Sequence, residues 1–207
     1  IQNMKENIEN LGIYTPDQEL RALSWKQPFA ELMLRGKIET RTWKTNYRGW
    51  VLICASKKPY PRRELEVISG PTQYFKIFEN LSDMDGDLYQ WRYGVAIAIG
   101  RLVDCRPMEL IDESECFVAF NPNLFCHVYA DVQAIKPIPW KGSQGWGKVP
   151  MEIKMQMEEL IQPNFREDCI KENIGGAGNE LSLKEIIGIV KKLPPIDGHW
   201  TEAKDYV

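Results

Sequence analysis

The spacing of apolar residues changes period several times along the chain, and each change marks an element. Leu20 to Trp25 reads as a strand with Leu23 turned inward. Over Gln27 to Arg35, Phe29, Leu32 and Met33 recur at helical spacing, with Pro28 in a tolerated first-turn position and Gly36 as a glycine cap. That pattern predicts a short helix. Between Lys37 and Trp43 the period drops to two, which puts Lys37, Glu39 and Arg41 on one face of a strand and Ile38, Thr40 and Thr42 on the other. Three ionisable side chains on one face are either solvated or turned into a polar cleft. The neighbouring run Val51-Leu52-Ile53-Cys54-Ala55 is unbroken in its apolarity and bounded by Gly49 and Ser56-Lys57-Lys58, as in a strand buried on both faces. A charged strand beside a buried one predicts the wall of a pocket.

Helical spacing returns after Ser56. Leu65 and Ile68 define one helix and Tyr74, Phe75, Ile77, Phe78 and Leu81 a second, divided at Gly70-Pro71. Ser82 to Asp87 is turn-rich; its acids fit a calcium loop in neither length nor closing glutamate, so a solvated loop is expected. Tyr93 to Cys105 is the longest strand-like run. Its small residues Gly94, Ala96, Ala98 and Gly100 alternate with Val95, Ile97 and Ile99, a face that lets a barrel wall curve tightly. Phe125 to Ile135 predicts another strand, and Lys136 to Trp140 a final one entered through Pro137 and Pro139 at a sheet edge. Gly142, Gly145 and Gly147 then punctuate a loop that can set backbone N–H groups against an anion or a flat base, or serve as a plain turn with Trp146 in the core.

Both ends depart from this pattern. Residues 1–19 are largely polar but carry Ile8, Leu11, Ile13 and Tyr14, and predict an arm packed on the domain with a short helix near Met4 to Leu11. From Met151 the composition shifts. A helix over Met151 to Ile161, a flexible loop at Gly175 to Asn179 and an amphipathic helix over Leu181 to Leu193 form an extension suited to covering a sheet face or meeting a protein partner. Strands and helices alternate too irregularly for a doubly wound sheet. The expected fold is α+β: a small mixed β-barrel with flanking helices over residues 20–150, followed by a helical C-terminal extension over residues 151–207.

Composition narrows the function classes. A chain of 207 residues, 43% hydrophobic, can bury one good core. Its net charge of −3 argues against a general nucleic-acid coat. Yet from Arg35 to Arg63 nine Lys or Arg stand against one acid, Glu39, an excess that suits a phosphate backbone unless the strands divide it between opposite faces. Five cysteines without a C-x-x-C pair, and two histidines, predict neither a disulfide framework nor a zinc site, and no cofactor is expected. Cys54 reads as a small core residue. No stretch approaches about 18 apolar residues, and the N-terminus carries no apolar signal core. A soluble cytoplasmic protein without a membrane partner is expected.

Three stretches carry a family resemblance. Leu23 to Gly36, LSWKQPFAELMLRG, and Ile38 to Ser56, IETRTWKTNYRGWVLICAS, resemble the signature of the ASCH domain, a member of the PUA-like superfamily. That signature has a leucine-serine-x-x-glutamine-proline opening and a glycine-x-lysine-x-x-glutamate-x-arginine core. Lys136 to Val149, KPIPWKGSQGWGKV, resembles the same family's closing strand and lysine-glycine-x-x-glycine-tryptophan loop. The stretches follow in family order from about residue 20 to about residue 150. One departure stands out: Ile38 alone separates Lys37 from Glu39, where the family has two residues. Either the turn is shortened or Lys37 does not occupy the family's lysine position. Glu39, Arg41, Trp43, Tyr47, Arg48 and Gly49 match individually.

The resemblance implies a PUA-like barrel and RNA-related roles; a human transcription coactivator carries the domain. A nucleotide, a modified nucleoside or RNA is the expected partner. Arg41, Arg48 and Lys57 can meet phosphate, Trp43, Tyr47 or Trp146 can stack on a base, and Glu39 can accept hydrogen bonds from an exocyclic amine. Ser24, Gln27, Ser56, Lys141, Gln144 and Gly145 complete the expected ligand-binding set, although Ser24 can instead cap the helix that follows it. A hydrolase is the other reading, since relatives include acetylcytidine amidohydrolases and proteins credited with ribonuclease activity. In the amidohydrolases a threonine nucleophile holds the position of Glu39 beside the motif lysine. Here the glutamate can act as a general base, with Lys37 or Lys141 stabilising the developing charge. Strand alternation further places Glu39 and Arg41 in one cleft with Lys141 and the Gly142 to Gly147 loop, with Glu39 a carboxylate at neutral pH.

Overall fold

Six strands form one mixed sheet in the computed structural model, which describes residue 12 and residues 14–81 and 91–161: β1 (Leu20–Trp25), β2 (Glu39–Arg41), β3 (Gly49–Ala55), β4 (Val95–Pro107), β5 (Phe125–Pro139) and β6 (Gly147–Lys148). Their order, β2-β5-β4-β3-β1-β6, curls into a half-barrel. β1 and β3 run parallel, and the other neighbouring pairs are antiparallel. Around the sheet lie helices α1 (Phe29–Met33), α2 (Arg62–Leu81), α3 (Glu113–Cys116) and α4 (Met151–Leu160). The fold is thus mixed α+β, as the pattern predicts. The expected helices at Met4 to Leu11 and Leu181 to Leu193, and the loops at Ser82 to Asp87 and Gly175 to Asn179, lie outside the described residues.

β3 shows why an unbroken apolar run needs two covered faces. Val51, Ile53 and Ala55 join one core cluster with Leu23, Trp25, Ile97, Phe29 and the α2 residues Leu65, Ile77 and Leu81. The alternate residues Trp50, Leu52 and Cys54 join a second cluster with Leu20, Ala22, Ile99, Ile135 and Met157 of α4. Every β3 residue from Trp50 onward is therefore buried. At roughly 25 cal/mol per Å² of apolar surface, that two-sided burial makes the strand a major stabilising element. Cys54, in the middle of it, is a core residue.

α1 is shorter than the helix expected over Gln27 to Arg35. It starts with Pro28 at the N-cap, and its C-terminus closes on Gly36 at φ +83°. There the Lys37 N–H donates to Leu32 O at 3.1 Å and the Gly36 N–H to Met33 O at 3.3 Å, a Schellman closure. This turn delivers the chain directly into β2. α2 is broken where expected, at Gly70 (φ +69°) and Pro71. The final strand expected at Lys136 to Trp140 is instead the continuation of β5, paired with β4 as far as Val95 opposite Pro139. The prolines are tolerated because β2 reaches only Phe125 to His127, so the outer edge of β5 at Pro137 and Pro139 needs no N–H donors for a partner strand.

Candidate functional site

The alternation over Lys37 to Arg41 does put the three ionisable residues on one face, but that face turns inward. The Lys37 side chain is fully buried, and Glu39 is 5% exposed. Lys37 Nζ donates to Glu39 Oε2 and to Ile38 O, each at 2.9 Å, and lies 4.7 Å from the centre of the Phe29 ring. On the other carboxylate oxygen, Arg41 Nε lies 2.9 Å from Glu39 Oε1. Burial by itself would push the Glu39 carboxyl up, yet the two cations and the Lys37 hydrogen bond outweigh it and hold the group below its ordinary value. Glu39 is a carboxylate at neutral pH, and its two oxygens already face two cations.

Arg41 also spans the open side of the half-barrel. Its Nη2 donates to Ser24 O of β1 at 3.0 Å, although β1 and β2 are far apart in the sheet order. A seam of rings closes the same side: Trp43 is edge-on to Trp146 at 5.6 Å and to His127 at 4.9 Å, and Tyr47 is edge-on to Trp146 at 5.2 Å. His127, opposite Glu39 in the ladder, is fully buried, and that burial lowers its pKa. A neutral imidazole can donate from Nε2 to Trp43 O at 3.0 Å. The motif residues therefore hold the barrel shut with side chains where the backbone ladder stops.

Under this closure lies a cavity of about 300 Å³ lined by Ser24, Trp25, Phe29, Glu39, Arg41, Ser56, Tyr60 and the Ser143 to Gly145 loop, among others. Arg41 Cζ sits 5.1 Å from the Trp25 ring centre, and Phe29 meets Tyr60 edge-on at 5.5 Å. Lys26 Nζ lies 4.4 Å from the Tyr60 ring centre at the cavity rim. The Trp25 Nε1 donor is buried and has no partner among the described residues. Gly142 brings the loop against β1 so closely that a Cβ there would lie 2.9 Å from Ser24 Oγ. The site thus combines aromatic walls, a guanidinium, a charged carboxylate and small hydroxyl donors.

The structure brings six of the expected residues to this cavity: Ser24, Glu39, Arg41, Ser56, Gln144 and Gly145. Ser24 does not cap α1, whose N-cap is Pro28. Lys37 lies behind Glu39 and does not line the cavity. Gln27 is fully buried away from it, donating to Arg92 O at 2.8 Å and accepting from the Glu31 N–H at 3.1 Å, and so ties α1 to residue 92. Trp43, Tyr47 and Trp146 belong to the ring seam. Arg48 lines a separate surface cavity with Arg101, and Lys57 and Lys141 are exposed outside the lining. Within the basic excess from Arg35 to Arg63, Lys37 is buried against Glu39 and Arg62 pairs with Glu66 at 2.9 Å.

Sequence reasoning missed Trp25, Lys26, Phe29, Tyr60 and Ser143. Phe29 carried only a helical-spacing signal, and Tyr60, in the loop between β3 and α2, carried none. Among the described residues no group of three His, Cys, Asp or Glu is placed to hold a metal ion.

No family model matches the sequence, and no curated protein matches it. Among solved structures, the chain is similar to the crystal structure of a ZmASCH mutant protein from Zymomonas mobilis, at 13% identity and a TM-score of 0.44, over 70% of this chain and 99% of that one.

Proposed function

We propose that the cavity binds a single base of RNA or of a modified nucleoside, and that the domain is a binding module. The carrying observation is the pairing of aromatic walls at Trp25, Phe29 and Tyr60 with the Arg41 guanidinium in a cavity of about 300 Å³. That volume is at the small end of ligand sites and suits a planar heterocycle better than a whole nucleotide. Flat polar rings are held by aromatic stacking and by edge hydrogen bonds; Trp25, Phe29 and Tyr60 supply the rings, and Arg41, Ser24 and Ser56 supply the polar edges.

The Glu39 environment weighs against hydrolysis. A general base works best with a pKa near the operating pH, whereas Glu39 is held below the ordinary carboxylate range, and Lys37 has no access to a substrate. Saturation-transfer NMR with the four ribonucleosides and acetylcytidine tests the reading. At least one base should receive saturation from the wild-type protein. Arg41→Lys keeps a cation beside Glu39 but loses the planar fork, and should abolish the transfer while leaving the fold intact. Absence of transfer from every nucleoside to the wild type refutes the reading, as does transfer to the Arg41→Lys protein at wild-type strength.

A further inference from the structure

A second concavity, of about 430 Å³, lies beside the first and is lined by Leu20, Arg21, Trp146, Lys148 and Lys154, with Glu19 at its rim. The two are built from the same two segments. Along β1, Leu20 and Arg21 belong to the second and Leu23, Ser24 and Trp25 to the first; along the closing loop, Ser143 to Gly145 face the first and Trp146 to Val149 the second. Arg21 and Ser24 are three strand residues apart, about 10 Å, a distance that a few linked nucleotides span. Trp146, which lines the second, directly follows Gly145, which lines the first.

The character of the second concavity is basic and aromatic. Arg21 Cζ stacks 4.1 Å from the Tyr47 ring centre and 5.8 Å from that of Trp146, and its Nε pairs with Glu19 at 2.8 Å. Lys148 and Lys154 have no ion-pair partner among the described residues. Lys148 is exposed on β6, pairing opposite Arg21 in the ladder, and Lys154 reaches the groove from α4. Two unpaired ammonium groups and a guanidinium beside half-buried rings form the kind of surface that tracks a phosphodiester backbone while neighbouring bases stack.

We infer that this groove seats the backbone flanking the base held in the cavity, so that the ligand is a single-stranded oligonucleotide rather than a free nucleoside, with Lys148 and Lys154 on its phosphates. This rests on the base-binding reading of the cavity.

The test uses the full chain and fluorescence anisotropy with a fluorescein-labelled, sequence-randomised single-stranded RNA octamer, its DNA counterpart and the RNA duplex, titrated across salt concentrations. Each lysine that neutralises a phosphate contributes about 0.7 to the slope of log affinity against log salt for a single strand. The Lys148→Ala/Lys154→Ala protein should therefore lose about 1.4 of that slope, the Lys→Arg pair should keep it, and saturation transfer to free nucleosides should be unchanged in both. Binding of the RNA or the DNA octamer more tightly than the duplex supports the inference, and a preference for RNA over DNA identifies the strand read. Stronger binding of the duplex than of either single strand overturns the inference. An unchanged slope in the double alanine variant, with Arg41→Lys still losing the octamer, overturns the groove and leaves the cavity reading standing. Loss of octamer binding in the groove variant with none in Arg41→Lys breaks the link between the two sites and overturns the inference with the cavity reading.

Discussion

Replacing Lys37 by Met is the sharpest probe of the inward-facing triad. Methionine refills the volume of the lysine stem, so packing changes little, while Glu39 loses the 2.9 Å partner on Oε2 and Ile38 O loses a donor. Removing one partner of a buried ion pair typically costs about 3–5 kcal/mol. Arg41 remains 2.9 Å from Oε1, so about 3 kcal/mol is expected here, which for a chain of this size lowers the melting temperature by about 6–12 °C. The pH dependence carries the decisive signature. Glu39 has a folded pKa below its ordinary value of 4.5, so its charge stabilises the wild-type fold above that pH and the contribution is lost as pH falls through the lower folded value. Without Lys37 the burial cost is less compensated, the folded pKa rises, and protonation relieves the penalty earlier. The gap between variant and wild type should be widest at pH 7 and should narrow below the ordinary carboxylate range. Urea melts of both proteins from pH 7 to pH 3.5 measure it. A variant within about 1 kcal/mol of wild type at pH 7, or a gap that stays constant over the range, refutes the reasoning.

Asp112 offers an independent acid-range test. Hydrogen bonds from Arg106 at 2.6 and 2.7 Å, against the opposing cost of burial, bring its pKa down to about 2, so the stability it contributes is complete above its usual value of 3.8 and fades as pH falls toward 2. Asp112→Asn should lower the melting temperature at pH 7 by more than at pH 3; an equal loss at both values counts against the pair. Gly36→Ala puts a side chain at φ +83° with nothing within 4 Å of the new Cβ. It should cost about 1 kcal/mol through the left-handed backbone alone, and Gly36→Asn less. Equal melting temperatures for all three proteins would refute the cap.

Local rules made much of the framework legible. The apolar run at Val51 to Ala55, the glycine stop at Gly36 and the break at Gly70-Pro71 each follow from one or a few neighbouring residues, and local chemistry decides them. What alternation fixed was that Lys37, Glu39 and Arg41 share a face. What it left open was the direction of that face, because a charged face can be buried only if its charges neutralise one another, and the mutual pairing of Lys37, Glu39 and Arg41 is a three-dimensional fact. The same limit explains the cavity lining. Trp25 and Phe29 lie within short elements whose apolar residues read as ordinary core, and Tyr60 joins them through a turn. The continuation of β5 past Ile135 was hidden by its prolines, which read as a boundary but sit where a strand needs no outer partner.

The outer rim of β5 has a consequence for association with other copies of the chain. Beyond His127 it has no partner strand among the described residues apart from the isolated bridge of Ile135 to Ile161. A long free rim of this kind is the usual template for intermolecular strand addition. Here Pro137 and Pro139 remove N–H donors, Lys136 places an exposed charge between the described strand and any newcomer, and Asp131, at φ +53° and paired with Arg101 at 2.7 Å, interrupts the extended backbone. Register irregularities at three points along the β4–β5 ladder twist the rim further. An incoming strand would meet interrupted hydrogen-bonding sites in place of a continuous row, so crowding of the folded protein at high concentration should not propagate this sheet from one molecule to the next.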